Sequence, residues 1–215
     1  MRVERGRAWE YENRGMVEAI AGLIESGRVK LYCVDSYDEA SWSNPDIPLE
    51  DRARAHGRYE AWILEQVVPW IHGDCGAQEI MTTGCSLGGY HAANFALKRA
   101  DVFPVAICLS GNYDPSTWQG WGERGEAAFF NNPFDSLTHM GGDHLGWLRS
   151  RLSVLLVCGQ GMWEDSTGSL DSTRALAGLL QHKGIRCELD LWGHDVPHDW
   201  PSWQAQLAHH LPRFC

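Results

Sequence analysis

The sequence predicts an α/β fold in three layers, a mostly parallel sheet with helices on both faces. Two observations carry this. Apolar segments of strand length alternate with amphipathic segments of helix length from end to end, the order in which parallel sheets are wound. Ser153 to Cys158 (Ser-Val-Leu-Leu-Val-Cys) is a near-continuous apolar run, as expected of a strand covered on both faces. A length of 215 residues is enough for one ordinary core, so residues 1–215 are expected to form a single domain.

The elements follow in order. Met16, Ile20, Leu23 and Ile24 recur at helical spacing, predicting a helix over 13–26. Val29 to Val34 reads as a strand ending at Asp35, followed by a polar loop to about Leu49 with Asn44-Pro45 as a turn signal. From about 51 to 71, Tyr59, Ile63, Leu64, Val67, Val68 and Ile71 share one face of a long helix. Residues 79–83 form a short strand, and a helix begins directly after Ser86 and runs to about Arg99. Residues 104–109 are the next strand, and 111–147 read as a long irregular stretch rich in Gly, Trp, Asn and Phe. After the strand 153–158 come a helix at 171–183 closed by Gly184, a strand at 186–192, and a last helix opening near Pro201. Internal repeats, low-complexity segments and linkers are absent from the sequence.

Composition narrows the function classes. With 18 Lys and Arg against 28 Asp and Glu, the formal net charge is -10, which disfavours a phosphate backbone as partner, so nucleic acid is not expected. No segment approaches the roughly 20 apolar residues needed to span a bilayer, and the N-terminus is too polar for a signal-peptide core. The seven cysteines are scattered, odd in number and without a C-x-x-C pair. That usage fits a reducing compartment, so the cytoplasm is the expected location. Neither cysteines nor histidines show metal-ligand spacing, so no metal and no cofactor is expected.

The chemistry is carried by Gly84-Cys85-Ser86-Leu87-Gly88, followed by Gly89. G-x-S-x-G is a weak pattern alone, but here it falls where the strand 79–83 turns into the helix from 87. That is the setting of a nucleophile elbow, in which a strained turn presents a serine above the carboxyl ends of the strands. Gly84 and Gly88 are expected to be glycine for steric reasons. A serine after a tight turn could instead be a simple helix N-cap. Serine needs a base within reach, and imidazole suits that role at neutral pH. The base is expected on the loop after the last strand, where both His194 and His198 lie. His56, His72, His91, His182, His209 and His210 fall on helices or at helix ends and read as solvated surface groups. His139 and His144, in the long loop, are outside candidates. An acid should follow the strand 153–158, and Glu164 and Asp165 both qualify; Asp114 is a rival and Asp171 reads as a helix cap.

With these residues in place the chain resembles the Putative esterase family of α/β-hydrolases, which includes S-formylglutathione hydrolases, feruloyl esterases and bacterial mycolyltransferases. The elbow at 84–89 matches. So does His198-Asp199-Trp200-Pro201-Ser202-Trp203, which looks like the family's H-D-W-P-x-W around its catalytic histidine. Residues 11–16 and 35–38 also read like this group, and the similarity runs over nearly the whole chain. The resemblance favours His198 over His194 and places the family's acid near Glu164-Asp165, with Glu164 preferred and Asp165 open. It implies an α/β-hydrolase fold and a serine esterase that cleaves a small or aromatic carboxylic ester through an acyl-enzyme. The Leu87 amide would donate to the oxyanion and a second donor would come from Gly6–Ala8. Trp118, Trp121, Phe129 and Phe130 would wall a substrate pocket. In relatives about three strands precede the segment that starts here near Gly6. One of them lies between the strands matching 29–34 and 79–83, and Met1–Tyr11 contains nothing like it. The expectation is a sheet lacking its N-terminal strands, with open edges that favour a homodimer. The competing readings are a non-catalytic binding protein on the same fold, and an acyltransferase or thioesterase using the same triad.

Overall fold

Four strands form one parallel sheet, in the order β1 (Met81–Cys85), β2 (Val105–Leu109), β3 (Ser153–Cys158) and β4 (Arg186–Leu191). The computed structural model describes residues 6–77 and 79–215. Register keeps the strands level: Met81 lies opposite Val105, Val105 opposite Ser153, and Ser153 opposite Arg186. All four carboxyl ends therefore open onto one edge, where open α/β sheets place their ligands.

The two-residue period of the central strands divides the core. Ala106 and Cys108 of β2, with Val154 and Leu156 of β3, join one buried cluster; Ile107, Leu109, Leu155 and Val157 join another. β2 and β3 are thus apolar on both faces, and a helical layer covers each face of the sheet. One layer comprises α3 (Leu49–Trp62), α5 (Leu87–Lys98) and α9 (Ser169–His182). On the other, α10 (Trp200–His210) packs with the N-terminal residues, including α1 (Ala8–Asn13) and α2 (Ala21–Glu25). This is the three-layer α/β sandwich that the sequence predicts.

The long helix of 51–71 is present but not uniform. After α3 the chain widens into a π-helical turn at Ile63–Val67 and continues as α4 (Val68–Cys75). Pro69 supplies the reason: it lacks an N–H and its ring clashes with the preceding turn, and a wider turn relieves both.

Three expectations are corrected. The segment 13–26 is not one helix: α1 ends at Asn13, Gly15 turns the chain at φ 74, and a 3-10 turn at Glu18–Ile20 leads into α2. Residues 29–34 belong to no ladder. Among the described residues no strand pairs with them; Val29 and Leu31 pack against the core cluster beneath α10, and two further side chains reach α4. Tyr32 donates to Asp74 at 2.6 Å and Lys30 pairs with Asp74 at 2.5 Å. The stretch 111–147 is largely helical, with α6 (Glu126–Phe130), α7 (Pro133–His139) and the start of α8 (Gly142–Arg151). Asn132 caps α7 by accepting from the Phe134 amide at 2.9 Å, ahead of Pro133. The Glu50 carboxylate caps α6 from a distance, accepting from the amides of Gly125, Ala127 and Ala128 at 2.8–3.1 Å.

Candidate active site

The turn from β1 into α5 holds Ser86 at φ 55 and ψ -119, a conformation that costs a non-glycine residue energy and has to be enforced by its surroundings. The Ser86 amide donates to the Leu109 carbonyl of β2 at 2.8 Å. A Cβ on Gly84 would lie 2.3 Å from the Gly88 carbonyl oxygen, so the turn closes only around glycine. Gly88 differs: a Cβ there would meet nothing within 4 Å, which corrects the expectation that both glycines are sterically required. Leu87 opens α5, so its N–H lacks a partner one turn back in the helix and points beyond the helix end.

His198 lies on the loop between β4 and α10. Its side chain is 2% exposed, and its imidazole edge packs on Trp203 at 4.9 Å. The H-D-W-P pattern has a physical basis here. Asp199 is the N-cap of α10, accepting from the Ser202 amide and hydroxyl at 3.2 and 2.8 Å, and Pro201 sits in the first turn. The cap fixes where the helix starts and so where His198 stands. Its Nε2 is 3.0 Å from Ser86 Oγ and its Nδ1 is 2.9 Å from Glu164 Oε2. A carboxylate only accepts, so Nδ1 carries the hydrogen and Nε2 is left to accept from the serine.

Glu164 is fully buried on the loop after β3. An isolated carboxylate there would be costly, but donors reach both oxygens. Ser110 Oγ donates to Oε1 at 2.6 Å and the Gly159 amide at 3.3 Å; Cys158 Sγ donates to Oε2 at 3.3 Å beside His198. Burial and the neighbouring carboxylate push the Cys158 thiol well up, which keeps it protonated as a donor. The acid loop and the histidine loop are stitched together by backbone. Gly161 N donates to Val196 O at 2.9 Å and His198 N to Met162 O at 3.0 Å. At the crossing a Cβ on Gly159 would fall 2.1 Å from Val196 O.

The structure therefore brings Ser86, His198 and Glu164 into one hydrogen-bonded chain, and leaves the other candidates outside it. Asp165 is exposed and accepts from the Ser166 amide. His194 is exposed. Asp114 caps a 3-10 turn through the Ser116 amide and accepts from Asn132. In Gly6–Ala8, the Arg7 amide donates to Glu10 and the Ala8 amide to Asp35. His139 and His144 line a separate cleft of about 360 Å³ with Phe129, Phe130 and Lys98, so these two phenylalanines belong to that cleft. Trp118 packs on Tyr90 and Trp42 at 4.9 and 5.4 Å, and Trp121 is exposed.

Three histidines expected at the surface are buried. His56 stacks on His91 and Phe95 at 5.1 and 5.7 Å, His91 pairs with Asp38 at 2.9 Å, and His210 pairs with Asp190 at 2.8 Å. Burial, reinforced by the charges of His91 and Lys98, holds the His56 imidazole well below its ordinary value. Ser110 was missed by sequence reasoning, because a serine at a strand end carries no local signal of its partner.

A strained serine on a strand-to-helix turn, hydrogen-bonded to a buried histidine that is hydrogen-bonded to a buried carboxylate, defines a serine hydrolase on an α/β-hydrolase fold. The family is more specific. The model of the Putative esterase family matches residues 10–214, and the chain belongs to that family. Among solved structures, a ferulic acid esterase superposes with a TM-score of 0.67 at 19% identity, over 94% of this chain and 78% of that one. MPT51 of Mycobacterium tuberculosis gives 0.65 at 15% identity, over 94% and 81%. An S-formylglutathione hydrolase of Staphylococcus aureus gives 0.51 at 18% identity, over 72% and 63%. At these identities the likeness speaks for the fold. No curated protein matches the sequence.

Proposed function

We propose that this esterase cleaves a small or aromatic carboxylic ester with Ser86 as nucleophile, His198 as general base and then acid, and Glu164 as the residue that orients the imidazole. The observation that carries the assignment is the unbroken relay from Ser86 Oγ through His198 to Glu164, at 3.0 and 2.9 Å. Ser86 Oγ attacks the ester carbonyl as its proton passes to His198 Nε2. The imidazolium is stabilised by Glu164 through Nδ1–H and returns the proton to the leaving alcohol. Water, activated by the same imidazole, then releases the acid from the acyl-enzyme. The Leu87 amide, as the residue after the nucleophile, donates to the oxyanion. Met162 and Trp163, exposed on the acid loop, where the Met162 carbonyl accepts from the His198 amide, favour an apolar or aromatic portion of the substrate.

The test is Ser86→Ala against p-nitrophenyl acetate, together with fluorophosphonate labelling of the parent. Removing a triad nucleophile costs on the order of 10⁶ in turnover, and the label is expected on Ser86. A variant that keeps more than a tenth of the parent's rate, or a label on another residue, overturns the assignment.

A further inference from the structure

We propose that Ser110 is a positioning residue for this reaction: it holds the Glu164 carboxylate in the orientation that presents Oε2 to His198. The proposal rests on the triad reading above and goes beyond it. Ser110 is fully buried at the carboxyl end of β2, at φ 49. Glycine occupies that region without penalty, whereas a serine there is strained. What serine brings that glycine lacks is its hydroxyl, and the hydroxyl makes the shortest hydrogen bond to the acid, 2.6 Å to Oε1. The other donor to Oε1, the Gly159 amide, is at 3.3 Å. Oε2 carries His198 Nδ1 at 2.9 Å and the Cys158 thiol, a weak donor, at 3.3 Å. Without Ser110 the outer oxygen keeps only the long amide contact, and the carboxylate is free to rotate away from the imidazole.

The backbone of the same dipeptide reaches the nucleophile. Leu109 O accepts from the Ser86 amide at 2.8 Å, and Ser110 N donates to Val157 O of β3 at 2.8 Å. The tip of β2 thus ties the elbow on one side to the acid on the other. Ser110 touches neither substrate nor reacting atoms and acts through Glu164.

Ser110→Gly separates the hydroxyl from the backbone, because glycine accepts φ 49 and lacks only the donor. Its melting temperature is expected to stay within a few degrees of the parent's, because relief of the strain at φ 49 offsets part of the lost hydrogen bond. Its kcat on p-nitrophenyl acetate should fall about 10- to 100-fold, the range for a hydrogen bond to a charged group, with KM little changed. The acid-side fall of kcat/KM should move to lower pH, because a carboxylate turned away from the imidazole stabilises the imidazolium less. Ser110→Cys, with a weaker donor, should fall between parent and Ser110→Gly. A Ser110→Gly enzyme that keeps kcat within twofold and an unmoved acid limb overturns the positioning role. Labelling of the parent by a fluorophosphonate probe separates the two readings. A labelled, active parent with an unaffected Ser110→Gly variant removes only the role of Ser110, whereas an unlabelled, inactive parent removes the triad reading and this one together.

Discussion

Gly84→Ala is the sharpest single test of how the elbow works. The added methyl would sit 2.3 Å from Gly88 O and 2.4 Å from Gly88 C, both backbone atoms, where ordinary contact begins at 3.4 Å. The turn must therefore open by at least 3.4 − 2.3 = 1.1 Å along that line. Ser86 lies between the two glycines and moves with them, while His198 is held by the acid loop. A misplacement near 1 Å costs about 100-fold in rate. Overpacking adds roughly 1–3 kcal/mol of destabilisation, which for a chain of this size lowers the melting temperature by about 2–4 °C per kcal/mol. The control is Gly88→Ala, whose methyl meets nothing within 4 Å and whose site lies in α5. It should fold at least as stably, gaining up to about 1 kcal/mol of helix propensity, and keep most of its activity. Turnover of p-nitrophenyl acetate and thermal melting of both variants decide the matter. If Gly84→Ala is as active as the parent, or if Gly88→Ala is the more damaged of the two, the steric account of the elbow is wrong.

Three further predictions follow from the same geometry. His198→Ala should be nearly as damaging to ester turnover as Ser86→Ala and His194→Ala mild, with the Ser86/His198 double variant no worse than either single one; the reverse ranking of the histidines would discard the assignment of the base. Glu164→Gln should lower kcat by on the order of 10⁴, as replacing an imidazole-orienting carboxylate by its amide does, whereas Asp165→Asn leaves kinetics unchanged; equal effects would mean that the relay does not run through Glu164. Burial holds His56 neutral when folded while the unfolded chain takes up a proton below about pH 6.5, so stability falls on acidification. His56→Phe should lose about 1 kcal/mol less than the parent between pH 6.5 and 5.5 in urea melts, and identical pH slopes would contradict a neutral His56.

The nucleophile and base were legible because their signals are local. The elbow needs Gly84, Ser86 and a helix start within a few residues. His198 is followed at once by the Asp199 cap and Pro201 that begin α10. The sheet was legible for the same reason: the alternation of β2 and β3 into two faces is written in consecutive residues. What stayed hidden depends on distant partners. Glu164 and Asp165 are chemically alike and adjacent, and only the path of the loop decides which one turns inward. The helix cap at Asn132-Pro133 was a readable local sign of α7, whereas the capping of α6 by Glu50 comes from a residue 75 to 78 positions away. Residues 29–34 have the composition of a strand, but a strand also needs a partner strand, and what they meet is the core cluster beneath α10 and Asp74 of α4.

The distribution of hydrogen bonds around the relay shows where its geometry is decided. Glu164 and His198 are 34 positions apart, yet their loops are joined by backbone bonds from Gly161 to Val196 and from His198 to Met162. Acid and base therefore behave as one stitched unit, and a local disturbance in either loop is shared by both. Ser86 is 112 positions from His198 and stands on a different element. Besides the serine–histidine bond, its connection to that unit runs through the tip of β2, by the Ser86 amide on Leu109 and the Ser110 hydroxyl on Glu164. A parallel register suits this arrangement, because it sets the ends of β1, β2 and β3 level. By register, residues 86, 110 and 158 stand level at that edge, so the tip of β2 lies one interstrand gap from the elbow on one side and from the start of the acid loop on the other. A sequence change in the core of β2 that slides it against β1 or β3 would separate nucleophile from acid while leaving all three side chains intact. The distance from the chemistry at which a substitution begins to affect turnover is therefore expected to be greatest along β2.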